Sequence, residues 1–234
     1  MADIVRYYLP STGAAAVSPA YAATWETVNS VVRLAAVTTK ISSAMASQDT
    51  AESETGVAKD NLCVQYVTAA LAAREWTTSD SLKIQILSAR GSAVTTAYLR
   101  LVVRVVSNDG GTFRGTLYDG VDDNNFPTSP YTNRNMGGSV NVQNAVSQQL
   151  NDRLVIEIGG LQNNSGAWDG IVLRVGDNNA SDLPENETGT DAYNPWVEFT
   201  METGGGVIGP SGAIVSAEDV DGAAMMRGTI QSEV

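Results

Sequence analysis

The chain contains no histidine and a single cysteine, Cys63, among its 234 residues. The first absence removes the commonest general base, the Ser/His/Asp and Cys/His nucleophile arrangements, and the commonest nitrogen ligand for metals. The second rules out an internal disulfide and fits folding in a reducing compartment. Cys63 sits in "NLCVQYV" with no cationic neighbour to stabilise a thiolate, so it reads as a small buried apolar residue of a strand. Basic residues are scarce: 14 Lys plus Arg stand against 26 Asp plus Glu, a formal charge of -12. Such a chain repels phosphate backbones and its few cations do not cluster, which argues against nucleic acid and for a basic protein surface as partner. Long apolar runs are missing too. No stretch approaches the roughly 18–20 apolar residues of a membrane span. The opening "MADIVRYYLPSTG" lacks the basic and apolar regions of a signal peptide, so a soluble protein without a membrane partner is expected.

What is present is globular. With 43% hydrophobic and 17% charged residues, and many Ala, Val, Thr, Asn and Gly, the chain can bury a core and suits one large all-β domain. Alternating and apolar runs recur between turn-formers. "DIVRYYLP" ends at Pro10, and "SLKIQILSAR" predicts Leu82, Ile84 and Ile86 inward with Lys83 and Gln85 outward. "NLCVQYVTAAL" predicts Leu62, Val64 and Tyr66 on one face and Cys63, Gln65 and Val67 on the other. "AYLRLVVRVVSNDGG" ends in a hairpin signal that "GTFRGTLYDG" answers as partner strand. "TWETVNSVVRLAAVT", "DRLVIEIGGL", "DGIVLRVGD" and "PWVEFTMET" supply further strands, and only "SVNVQNAVSQQL" also fits a short helix. The expected fold is an all-β antiparallel sandwich, jelly-roll-like, over residues 1–203. Residues 41–60, polar and acidic, are expected to form an exposed loop or arm. Residues 204–234 open with a glycine triplet and are expected to form an extended arm, yet carry Val207, Ile208, Ile214, Val215, Val220, Met225, Met226 and Ile230. Those side chains need burial, which predicts docking of the arm on its own domain or on another subunit.

Acids offer the residues closest to a chemical site. Asp119, Asp122, Asp123 and Asn124 in "YDGVDDNN", and Asp177, Asp182, Glu185 and Glu187 in "GDNNASDLPENETGTDAYNPWVEF", are hard oxygen ligands of the kind Ca²⁺ takes. Neither set has the EF-hand frame, and turn chemistry accounts for both, so no metal or cofactor is expected. Glu157 and Glu198 could form the paired carboxylates of a glycosidase, although outward-facing strand glutamates are commoner. Trp168, Trp196, Tyr131 and Tyr193 could stack on sugar rings or fill the core.

"RYYLPSTGAAAVSPA", "DRLVIEIGG" and "GDNNASDLPENETGTDAYNPWVEFT" together resemble a pattern in β-sandwich virion structural proteins of tailed bacteriophages. There a strand of the Gly-Asp-Arg-Leu-Val-Val-Glu type leads to an Asp/Thr-rich loop and a Trp-Ile/Val-Glu-Phe strand. The resemblance covers most of residues 4–200, but not the 41–60 insertion or the C-terminal extension. It implies a bridging role for the loop and core positions for Trp196, Val197 and Phe199. Together with the missing catalytic side chains and the apolar tail, the resemblance leads to the expectation of a non-enzymatic virion protein, a capsid cement or decoration subunit that assembles in the host cytoplasm as a homotrimer on the major capsid protein or another virion protein. The subunit or capsid interface is then expected at Val207, Ile208, Ile214, Val215, Met225, Met226 and Ile230. The alternative is a carbohydrate-binding module of a tail-fibre or host-adhesion protein.

Overall fold

The computed structural model describes residues 2–28, 31–49, 57–91, 94–126, 131–164, 170–187 and 193–202, with the backbone of 207–208 and 214–215. In chain order the strands are β1 (Asp3–Tyr8), β2 (Val32–Ala35), β3 (Ala46–Asp49), β4 (Ala58–Val67) and β5 (Arg74–Trp76). Next come β6 (Ser81–Arg90), β7 (Val94–Val106), β8 (Phe113–Asn125), β9 (Thr132–Arg134) and β10 (Val140–Asn141). Then follow β11 (Val146–Gln148), β12 (Arg153–Asn164), β13 (Ile171–Val175) and β14 (Trp196–Met201). No helix occurs among the described residues.

One sheet runs β1-β14-β6-β13-β3, with β9 and β10 also bonded to β6; the other runs β2-β4-β12-β7-β8. A short β5-β11 ladder forms a third sheet. Pairing is antiparallel throughout these sheets except between β2 and β4. The inner faces bury Ile84, Ile86, Leu99, Leu101, Ile156, Ile158, Val197 and Phe199 in one core. Each such side chain contributes about 1.5–3 kcal/mol on leaving water, before the entropy of ordering is subtracted. The all-β sandwich expected from strand alternation is the fold. The β7–β8 hairpin closes at "NDGG", where Gly110 takes φ 77 and donates to the Ser107 carbonyl.

Several local expectations need correcting. The helix allowed for "SVNVQNAVSQQL" is absent: β10 pairs with β6 and β11 with β5, so Val142 and Val146 reach the core from strands. In β4 the predicted alternation breaks at a register shift opposite Ile158/Gly159. Cys63 therefore turns inward with Val64 and Tyr66, while Leu62 packs outside against Trp25 and Val102. Gly159 permits the shift, since a Cβ there would sit 2.0 Å from the Asn61 carbonyl oxygen. Cys63 is buried as expected, and burial pushes its thiol far above the usual range. Leu82, Ile84 and Ile86 do point inward, but Gln85, expected outside, is 2% exposed because a loop roofs that face. Residues 41–60 are not wholly a loop: Ala46–Asp49 forms the edge strand β3 and Ala58–Asp60 opens β4, with 50–56 outside the described residues.

Candidate interaction site

The acidic residues that resembled a chemical site hold the fold together. After β13, Gly176 (φ 142) turns the chain where a Cβ would meet the Ala44 carbonyl at 2.8 Å. Asp177 follows, buried, and accepts from the Ile41 amide (2.6 Å), the Ser43 amide (2.5 Å) and the Ser43 hydroxyl (2.7 Å). Asp182 gathers Lys40 Nζ (2.7 Å), Arg6 Nη1 (3.2 Å) and the Tyr8 hydroxyl (3.1 Å). Burial pushes its carboxyl up, but hydrogen bonds from Lys40, Asn194 and Tyr8 and the Lys40 charge outweigh it and leave it below the ordinary value. Leu183 packs on Trp196 and Leu87, and its carbonyl accepts from Trp196 Nε1 at 2.8 Å. The loop thus bridges β13 and β14, and Trp196, Val197 and Phe199 are all buried. Residues 188–192 lie outside the described part.

"YDGVDDNN" is not the turn expected. Asp119, Asp122 and Asn124 lie within β8, held in the ladder by shifts of register against β7. Arg100 sits between Asp119 (2.6 Å) and Asp60 (2.8 Å), and Asn124 donates to Glu187 at 3.0 Å. The Asp123 side chain is outside the described residues. Among the described residues no three His, Cys, Asp or Glu side chains gather as a metal site.

Glu157 and Glu198 belong to different sheets and point away from the core on opposite outer faces, so they cannot flank one bond. Neither is the solvated strand glutamate expected. Glu157 is fully buried beneath residues 19–25 and accepts from Arg104 Nη2 (2.7 Å), Gln65 Nε2 (2.9 Å), Trp25 Nε1 (2.9 Å) and the Ala22 amide (3.2 Å). Glu198 accepts both Arg6 Nε (3.0 Å) and Nη2 (2.8 Å). The Arg6 guanidinium also stacks 3.9 Å from the Trp196 ring centroid. Trp196 is therefore covered and cannot stack on a sugar. Tyr131 and Tyr193 are half-buried beside it, and Trp168 lies outside the described residues.

The described residues also leave one largely apolar cavity. Where β1 and β14 end against the β5-β11 ladder, Val5, Tyr7, Leu71, Ala72, Trp76, Leu154, Phe199 and Met201 line a cavity of about 250 Å³. Trp76, one of its lining residues, lies edge-on to Phe199 at 5.6 Å between centroids and donates from Nε1 to Gln148 at 2.9 Å. Arg74 and Gln148 also belong to the lining; the Arg74 guanidinium lies 4.1 Å from the Trp76 ring centroid and pairs with buried Asp80 at 3.1 Å. Asp80 also accepts from the Glu202 amide at 2.9 Å, which fixes where the chain leaves β14. Sequence reading missed this cavity, because Ala72 and Ala73 belong to no periodic run. The expected interface residues begin immediately beyond: β15 (Val207–Ile208) pairs antiparallel with β16 (Ile214–Val215). Met225, Met226 and Ile230 lie outside the described residues.

No family model matches the chain, and no curated protein does. Among solved structures it is similar to a CocE/NonD family hydrolase from Staphylococcus aureus, at 8% identity and a TM-score of 0.46, over 86% of this chain and 37% of that one. It is also similar to a structure of the infectious bursal disease virus Gx strain (12% identity, TM-score 0.23, 71% of this chain and 40% of that one). A mutant VP2 protein of the same virus in derived T=1 particles gives 11% identity, a TM-score of 0.24, and 90% and 51% coverage. The chain thus spans about half or less of the length of these neighbours. Likeness at this level carries no conclusion about activity or assembly.

Proposed function

We propose that the chain is a non-enzymatic structural protein of a virion, a cement or decoration subunit that bridges neighbouring capsid subunits and works as a homotrimer. One observation carries this reading: Glu157, Asp177, Asp182 and Glu198 are committed to internal pairs, whereas the described residues leave a largely apolar cavity beside the end of β14. The chemistry left for a partner is burial of apolar surface. It yields roughly 25 cal/mol per Å² before ordering costs, with the acidic exterior complementing basic patches of a shell. Closed symmetry lets each C-terminal segment complete a neighbour. The carbohydrate-binding alternative loses its best platform, since Trp196 is roofed.

The test is solution mass by light scattering, for the full chain and a form ending at Thr203. A trimer that falls to monomer supports assembly through the C-terminal segment, and monomers in both forms overturn it. Binding to heads of the virus that encodes the chain then checks the cement role: it should weaken as salt rises, and failure to bind at low salt refutes it.

A further inference from the structure

We propose that the free edge of β1 takes up an extended segment of the shell subunit that the chain binds. The segment adds one strand, seats an aliphatic side chain at the apolar cavity, and places a lysine or arginine two residues away opposite Asp3. The proposal rests on the assembly reading above and names the contact it needs. The backbone carries its first part. Tyr8 exchanges both backbone hydrogen bonds with Val37 (2.7 and 3.3 Å), so its amide and carbonyl point away from β14. Backbone groups of an antiparallel strand alternate between its two edges, so those of Ile4 and Arg6 point the same way. Nothing among the described residues bonds to them, and Ile4 is 62% exposed. Elsewhere the edges are taken up: residues 13–15 bond to β2, and Gln143 and Asn144 bond to the middle of β8. None of the cavity's lining residues belongs to β3, the remaining edge.

The side chains carry the second part. Val5 and Tyr7 face the inner side of the sheet and line the cavity, and Val5 stands opposite Phe199, which lines it too. A strand added beside β1, at the usual spacing of about 4.8 Å, extends that row, and its residue opposite Val5 meets the cavity. Main-chain bonds along an edge, with a pocket for an alternate side chain, are a general way of holding an extended peptide. Charge selects the occupant. Asp3 stands opposite Met201, Glu202 follows Met201, and Glu75 lies between Arg74 and Trp76, so three acids adjoin the lining. Among the described residues no Lys or Arg pairs with any of the three, and Arg74 is already held by Asp80. Asp3 shares the inner face with Val5, so it faces the added residue two positions from the aliphatic one. A second copy would bring the same acids to the same edge on a chain of charge -12, which favours a basic segment of another protein over self-pairing.

Two measurements on the full chain test this. The first follows the backbone amide signals of Ile4 and Arg6 by NMR while a capped peptide, Thr-Lys-Thr-Leu-Thr-Lys-Thr, is added to millimolar concentration. Its palindromic order offers a lysine to Asp3 in either strand direction. Both amides should shift and gain protection from exchange, and Asp3→Lys, or aspartate in place of the peptide's leucine, should abolish the response. No change at Ile4 and Arg6, or an equal change with the aspartate peptide, overturns the proposal. The second measures binding to heads of the virus that encodes the chain. Ile4→Pro removes an outward donor without touching the β14 ladder and should weaken binding roughly tenfold. Val5→Phe keeps that donor but fills space beside Phe199, and should weaken binding as well, which guards against a proline that merely distorts the strand. Phe113→Ser, at an exposed aromatic of β8, should leave binding unchanged. Heads that bind the parent chain and both β1 variants alike overturn the edge contact and leave the assembly reading standing. No binding by the parent chain refutes the assembly reading and the shell as source of the segment, while the peptide result still decides whether the edge takes a strand. A dimer in light scattering that Ile4→Pro dissolves would give the edge to a second copy and overturn the stated occupant.

Discussion

Both outer faces of the sandwich are roofed by a loop, and under each roof lie a tryptophan, an arginine and a glutamate. On the five-stranded sheet these are Trp25, Arg104 and Glu157; on the other they are Trp196, Arg6 and Glu198. The difference is access to water. The Arg104 side chain is 9% exposed and Glu157 wholly buried, whereas Arg6 keeps 31% of its side chain exposed. Under the first roof the glutamate organises the fold, since its oxygens collect donors from β4, β7 and the covering loop. Under the second the arginine does so, reaching Glu198, Asp182 and the Trp196 ring at once. Similar residue sets thus make one dry and one partly wetted clamp.

The sharpest way to test that contrast is to delete each glutamate. Glu157→Ala leaves Arg104 as an uncompensated charge with nowhere to rehydrate, and should destabilise the protein by about 3–5 kcal/mol in urea unfolding. Glu198→Ala leaves Arg6 able to swing toward solvent and keep Asp182, so about 1–2 kcal/mol is expected. Equal losses would erase the distinction between the roofs. Asp177→Ala comes next, at about 2–3 kcal/mol, because it strands the buried Ser43 amide and hydroxyl together with the Ile41 amide.

Much of this was legible in the sequence where one rule governed. Period-two patterning identified Leu82, Ile84 and Ile86 as core, and "NDGG" located the β7–β8 turn. The outer faces were not legible, because alternation says which residues leave the core but not whether a later loop covers them. Gln85, Glu157 and Glu198 were therefore read as solvated, although each is buried under a segment distant in sequence. The bulge at Cys63 was hidden for a related reason: its cause, Gly159, lies on the neighbouring strand. The cavity was hidden because five strands, β1, β5, β11, β12 and β14, and the segment before β5 define it together, and the alanines in its wall carry no pattern.

Titration should separate two further carboxylates. The Asp182 carboxyl lies below the ordinary value, so its contribution is present above about pH 4 and is lost as pH falls through the lowered folded value. The Asp60 carboxyl lies above it: burial raises it most, Arg100 opposes, and Glu26 and Asp119 add to the rise. Its contribution is therefore present below about pH 4 and is lost as pH rises through the raised folded value. The gain in stability from about pH 3 to about pH 7 should accordingly shrink in Asp182→Asn and grow in Asp60→Asn, measured by urea midpoints. The same sign for both variants would refute the opposed environments.

The smallest effect is expected where the roof over the seven-stranded sheet meets open solvent. Lys83 Nζ lies 2.8 Å from Glu185, close to the 2.7 Å of the Arg104–Glu157 pair, yet the Glu185 side chain is 51% exposed. Water already stabilises both charges there, and ordering two flexible side chains offsets much of the attraction. Glu185→Gln should therefore change stability by less than about 0.5 kcal/mol, and by still less at high salt. A loss comparable to that of Glu198→Ala would mean that the edge of this roof is as dry as its centre. The two clamps would then differ in the number of their partners rather than in their contact with water.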